Sequence, residues 1–293
     1  MRVDREAEDR VPVSVRRLLP DLLTAVAPVV GERMVGVWLY GSAATGSFER
    51  GVSDVDVLIG VDGDLGPASG ESGAGTRPGP PSPGGSAADN RPGLGVAEVR
   101  AVEARVLRAH PGFRDRLDLT LPAEALAGGL LEPLLVLSPG EPAHLARVLP
   151  RWALTRALVR ATGLTLAGRP AREALAPAEP QELRTALIDS VAGLRDWAPD
   201  VRHRGGHAYL VLTACRALRT LTTGELADKA QAAQWAAGRW PRLRPLLEAA
   251  LAWRRAQAVR DGTPLPAELA VLRDELLDLV ATAAGAAQAA PPE

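Results

Sequence analysis

The stretch Val35-Gly36-Val37-Trp38-Leu39-Tyr40-Gly41-Ser42-Ala43-Ala44-Thr45-Gly46-Ser47-Phe48-Glu49-Arg50-Gly51-Val52-Ser53-Asp54-Val55-Asp56-Val57-Leu58-Ile59 decides how the chain is read. Its two ends are short runs rich in branched and aromatic residues, which is the composition of strands. Gly41 and Ser42 follow the first run directly. A Gly-Ser turn at a strand end can present backbone N–H groups and a hydroxyl to a phosphate chain. Asp54 and Asp56, two apart on an extended segment, point to the same face of a sheet. Two carboxylates that converge repel each other unless a cation lies between them, and Mg²⁺ takes hard oxygen ligands of this kind. A phosphate cradle next to a metal pair implies nucleotide chemistry.

Working outward, Arg116-Leu117-Asp118-Leu119-Thr120-Leu121 alternates polar and apolar residues, as a half-buried strand does. Asp118 and Thr120 fall on its polar face. Before the motif, residues 12–33 form an amphipathic helix on the spacing of Val15, Leu18, Leu19, Leu22, Leu23 and Val26. Residues 96–109 form another, leading into the Asp118 strand. Between them, Gly63 to Gly95 is dominated by Gly, Ser, Pro and Ala. That composition buries too little apolar area to offset its ordering entropy, so a disordered insertion is expected there. From Glu141 the pattern is helical and alanine-rich, with candidate helices at 141–162, 180–196, 206–222, 229–239, 242–260 and 266–286. The expected architecture is α+β: a small mixed sheet with helices over residues 1–139, then an all-α helical bundle over 140–293. A cleft between the two is the expected site.

Composition narrows the function. A net charge of −1 over 293 residues gives no broad basic surface for nucleic acid. The single cysteine, Cys215, excludes an internal disulfide framework and suits the cytoplasm. The opening residues are charged throughout, unlike a secretory signal, and no uncharged apolar run reaches the ~18–20 residues that span a bilayer. A soluble, monomeric, cytoplasmic protein with no membrane partner is expected. His110, His144, His203 and His207 have no zinc-ligand spacing. Trp38 alternates into a strand face, and Trp152, Trp235, Trp240 and Trp253 sit at helical spacing among apolar residues, as core side chains do. Lys229 is the only lysine among 34 Lys and Arg residues. An ammonium kept where arginine is the rule fits a point charge set against a triphosphate.

Gly41-Ser42, the gap and Asp54-x-Asp56 resemble the signature of the nucleotidyltransferase superfamily with the DNA polymerase β-like palm. The resemblance implies that Gly41 and Ser42 hold triphosphate oxygens, that Asp54 and Asp56 bind Mg²⁺, and that Asp118 is the third acid from a later strand. The segments Tyr209–Arg216, Thr222–Lys229, Ala232–Ala236 and Arg244–Arg254 resemble the C-terminal helical domain of the aminoglycoside nucleotidyltransferases that adenylylate streptomycin and spectinomycin. By that resemblance, Arg216 and Lys229 reach ATP phosphates from the helical domain. Asp118 departs from the family, where a glutamate acting as base is expected. Its role is left as metal ligand, general base, or both.

The resemblance places acceptor contacts just before the arginine-bearing helix, in Asp196-Trp197-Ala198-Pro199-Asp200-Val201-Arg202-His203-Arg204-Gly205-Gly206-His207. Trp197, Asp196 and Asp200 could receive a polycation, but the spacing differs from the family's. A position expected to be acidic falls near Gly206, and two arginines and two histidines oppose a cationic ligand. The implied activity moves AMP from ATP to a hydroxyl of an aminoglycoside-like small molecule, with release of pyrophosphate. The alternatives are AMP transfer to a protein side chain or to another hydroxylated metabolite, and a nucleotide-binding module without turnover. Intact carboxylates at 54, 56 and 118 weigh against the last.

Overall fold

The computed structural model describes residues 10–62, 95–114, 116–121, 134–137, 143–146, 152–225, 227–256 and 261–289. The insertion read at 63–95 lies outside them apart from Gly95. Two compact units are present. One takes Met1–Ala44, Asp54–Val148 and Thr162–Ala176, and the other Thr45–Ser53, Leu149–Ala161 and Pro177–Glu293. The chain therefore passes between the units several times. Among the described residues no helix is long and apolar enough to cross a membrane.

The first unit opens with α1 (Val13–Val30), whose Val15, Leu18, Leu22 and Val26 are buried at helical spacing. Strand β1 (Met34–Tyr40) runs into the one-turn helix α2 (Gly41–Thr45), and β2 (Val55–Val61) follows the motif loop. Next come α3 (Val96–Ala109), β3 (Leu117–Leu121), β4 (Leu134–Leu137) and β5 (His144–Ala146). The start of α3 is closed by Glu98, whose carboxylate accepts from the Gly95 N–H at 3.0 Å. After α4 (Trp152–Thr162), the chain returns to the first unit as β6 (Leu164–Gly168) and the short α5 (Ala171–Ala174).

These strands form one six-stranded sheet in the order β5-β4-β3-β2-β1-β6. Only β2 and β3 are parallel neighbours; the other pairs are antiparallel, giving a mixed sheet. One face is wholly apolar: Val37 and Leu39, Val55, Val57 and Ile59, Leu117, Leu119 and Leu121, Leu135 and Leu137 are all buried. Burying such side chains contributes roughly 1.5–3 kcal/mol each. The opposite face turns polar toward the ends of β1, β2 and β3, and Trp38 closes its apolar part by donating from Nε1 to the Arg169 carbonyl at 2.9 Å.

Two expectations are corrected. The helix read over 141–162 starts only at Trp152, and β5 occupies 144–146 instead. Pro142 and Pro150 each lack the N–H that a helix interior needs and so disfavour a continuous helix over this stretch. Strands β4 and β6 were not read at all. Their five residues or fewer carry too little periodicity to be recognised beside alanine-rich neighbours.

The second unit is helical. After α4 come α6 (Pro180–Trp197), α7 (Arg204–Thr223), α8 (Lys229–Arg239), α9 (Arg244–Arg255) and α10 (Ala267–Ala289). Helix α7 lies at its centre, against α6, α8, α9 and α10. It buries Leu210, Val211, Leu212, Ala214, Cys215 and Leu218. Trp235 and Trp240 pack on that core and meet edge to face at 5.5 Å. Helix α4 is tied to α6 by Arg156, which is 1% exposed and bonds Glu182 through Nη2 at 2.6 Å. A buried guanidinium is tolerable only with such a partner.

Candidate active site

The sheet register brings the motif acids together. Asp56 on β2 pairs with Tyr40 on β1 and with Asp118 on β3. Register partners on neighbouring strands share a face, so Tyr40, Asp56 and Asp118 form one row across the sheet. Asp54 lies two residues before Asp56, at the mouth of β2. All three aspartates are half-buried. The N–H of Val55, between the acids, donates to the Arg116 carbonyl at 2.8 Å and fixes the entry to this parallel pair.

Gly41 ends β1 in the left-handed region, with φ of +67°. Any other residue would be strained there, and a Cβ would run into Oδ2 of Asp56. The turn that begins with Gly41-Ser42 and the carboxylate of Asp56 are therefore packed backbone against side chain. Ser42 follows on α2, half-buried. Among the described residues no three His, Cys, Asp or Glu side chains close to a metal-holding distance. The fit of a divalent cation rests on donor type and backbone placement: hard carboxylate oxygens on two adjacent parallel strands, against a turn kept bare by glycine.

The second unit gathers Arg216 and Lys229. Helix α7 ends at Thr223, and Gly224 takes the left-handed cap conformation that reverses the chain, with φ of +73°. Arg216 donates from Nε to the Ala227 carbonyl at 3.1 Å. Arg219 bonds Glu225 at 3.0 Å, and the Thr220 hydroxyl donates to the Glu225 carbonyl at 3.1 Å. One face of α7 thus holds the turn that delivers Lys229 to the first position of α8. Asp228 caps that helix by accepting from the Gln231 N–H at 2.8 Å. A lysine at a helix N-terminus opposes the macrodipole, so it adds to the attraction for an anion rather than to helix stability.

The aromatic side of the same unit adjoins this lysine. Lys229 Nζ lies over the ring of Tyr209 at 5.0 Å. Tyr209 meets Trp197 edge to face at 5.9 Å. Trp197 and Tyr209 are 37% and 38% exposed, which is rare for large apolar side chains here. The row Trp197–Tyr209–Lys229 joins the candidate acceptor wall to the candidate phosphate cation. Sequence reading assigned no role to Tyr209; an aromatic on the exposed phase of α7 was the available signal.

Asp196 and Asp200 are exposed at the end of α6 and in the turn after it. Asp200 lies 3.8 Å from Arg202, which also donates to the Pro199 carbonyl. The opposing positive charge in this segment is partly accounted for. Arg204 pairs with Asp261 at 3.3 Å and stacks on Trp253. His207 is buried with its pKa lowered, first by desolvation and then by Arg273 and His203, so it stays neutral near pH 7. An acid at Gly206 would have to displace its neighbours. A Cβ there would lie 2.8 Å from Val201 Cγ1, and the Gly206 N–H donates to His203 Nδ1 at 2.8 Å to cap α7.

Comparison with known proteins agrees with these two halves. Residues 27–72 match the nucleotidyltransferase domain. Residues 173–278 match the family described as aminoglycoside adenylyltransferase, C-terminal domain. The crystal structure of spectinomycin adenyltransferase AAD(9) from Enterococcus faecialis, with ATP and spectinomycin, superposes with a TM-score of 0.64 over 90% of this chain and 98% of that one. At 14% identity that likeness speaks to the fold. No curated protein matches the chain in sequence.

Proposed function

We infer that this chain, an enzyme joining a nucleotidyltransferase domain to an aminoglycoside adenylyltransferase C-terminal domain, moves AMP from ATP to a hydroxyl of an aminoglycoside-like small molecule. The acceptor oxygen bonds to the α-phosphorus, the bond to the bridging oxygen of pyrophosphate breaks, and the hydroxyl proton leaves to a base. The observation that carries this reading is the row of Asp56 and Asp118 on parallel strands, against the left-handed Gly41 that precedes Ser42.

Mg²⁺ held by Asp54, Asp56 and Asp118 would supply charge neutralisation for the triphosphate and for the leaving pyrophosphate. Ser42 and the amides of its turn bind phosphate oxygens, and Gly41 leaves room for their approach. Arg216 and Lys229, as the family resemblance implies, would supply positive charge for ATP phosphates, with Lys229 lying over the ring of Tyr209. Asp118 would serve as metal ligand, as the base that takes the acceptor proton, or as both; its side chain is one methylene shorter than a glutamate, so as base it would reach a deeper acceptor or act through water. Trp197 offers a flat wall, and Asp196 and Asp200 offer carboxylates, to a polycationic acceptor.

The test is pyrophosphate release from ATP and Mg²⁺ by the purified full chain against streptomycin, spectinomycin and unrelated aminoglycosides. Release with one of the first two drugs and a product heavier by one AMP supports the reading. Silence across the panel with ATP still bound moves the acceptor to another hydroxylated molecule or a protein side chain.

A further inference from the structure

The loop between Ser42 and Asp54 has an unusual anchorage. Residues 45–53 group with the helical unit, although they join two elements of the sheet unit. Among them only Ser53 is buried. Phe48 and Val52 are half-buried, so no apolar side chain of the loop is sunk into a core. The loop is held instead by polar bonds. The N–H groups of Val52 and Ser53 donate to the Glu49 carbonyl at 3.0 and 2.9 Å, and the Glu49 N–H donates to Ser53 Oγ at 3.0 Å. Arg254, from the last turn of α9, bridges this ring from outside. Its Nη1 bonds Glu49 Oε1 at 2.7 Å, and its Nη2 donates to Ser53 Oγ at 3.2 Å.

A planar guanidinium reaching two points of one turn fixes both the position and the tilt of that turn, which an ammonium cannot do. The turn ends at Ser53, one residue before Asp54. We propose that Arg254 is a positioning residue for nucleotidyl transfer: by clamping Glu49 to Ser53 it sets where the loop delivers Asp54 at one end and leaves Ser42 at the other. Arg254 touches neither nucleotide nor metal in this role. The proposal rests on the function assigned above.

The test uses Arg254→Ala, Arg254→Lys, Glu49→Gln and the double variant Arg254→Glu with Glu49→Arg in the full-length protein, read by amide hydrogen exchange, by steady-state kinetics with ATP and the accepted drug, and by Tm. In Arg254→Ala the amides of Val52 and Ser53 should exchange about tenfold faster while those of α7 keep their protection. The kcat should fall about 100-fold, the loss that a displacement near 1 Å brings, with the acceptor KM unchanged. Arg254→Lys should keep the charge and not restore kcat, whereas Arg254→Glu combined with Glu49→Arg should recover part of it. If Arg254→Ala fails to fold, Glu49→Gln, which removes the ion pair with little change of shape, must show the same exchange and kcat pattern in weaker form. Full protection of Val52 and Ser53, or wild-type kcat in a folded variant, overturns the clamp. A wild-type chain that releases no pyrophosphate with any acceptor overturns the reaction instead. The exchange of the loop then decides separately whether Arg254 holds it.

Discussion

The carboxylate row of the sheet unit and the proposed acceptor residues of the helical unit are built on different principles. Asp56 and Asp118 sit on adjacent strands whose register is locked by buried apolar neighbours on both sides. Slipping either strand by one residue would turn its acid into the core. Asp196, Trp197 and Asp200 instead lie at a helix end and in the turn behind it, exposed, where Asp200 makes a distant ion pair and Trp197 one ring contact among the described residues. On the proposed reading, chemistry would be fixed by the backbone, while acceptor choice would rest on side chains that can change without disturbing the fold. The first kind of site tolerates almost no substitution; the second invites it.

The sharpest way to break this contrast is at Asp56. Asp56→Ala should lower kcat roughly a thousandfold, since metal-borne charge stabilisation amounts to several kcal/mol, with Tm near wild type; retained turnover would remove the metal assignment. Gly41→Ala should come next. Its left-handed φ costs an L residue about 1–2 kcal/mol, and its Cβ displaces the Asp56 carboxylate, so both Tm and kcat should fall together. Lys229→Ala should raise the KM for ATP about tenfold and leave the acceptor KM alone, as the loss of one charge-assisted contact does. Trp197→Ala should raise the KM for the drug by roughly tenfold or less, the scale of a cation–π contact, and leave ATP kinetics unchanged. A larger effect on ATP than on drug would show that the Trp197–Tyr209–Lys229 row acts as one unit.

A smaller effect concerns pH. The pKa of His207 is lowered in the fold, so below its ordinary value of about 6.5 the unfolded chain takes up the proton first. Its contribution is complete above that pH and is lost as pH falls through the window below it. Thermal melts should therefore show the helical unit weakening on acidification below about pH 6.5, with a flatter profile in His207→Leu.

How much was legible in sequence follows the same division. The Gly41–Asp56 motif was legible because strand, turn and acids lie within a few residues of each other. Asp118 was legible because β3 alternates cleanly. Lys229 stood out by composition alone. Strands β4, β5 and β6 escaped because they are short and take their identity from partners far along the chain, as β6 does from β1. Arg254 escaped for the same reason: its partners Glu49 and Ser53 lie about two hundred residues away. Tyr209 was visible as an aromatic but not as a neighbour of Lys229, because that contact depends on the turn at Gly224.

Cys215 offers an experimental opening. It is the only cysteine in the chain, it is fully buried in α7, and burial pushes its thiol up to about 12. Thiol reagents attack the thiolate, so at neutral pH they will pass this residue by. A cysteine substituted at an exposed position such as Arg50, in the loop that Arg254 bridges, would be the one addressable thiol without any need to remove Cys215. A dye placed there would report the loop's motion in real time while the enzyme turns over.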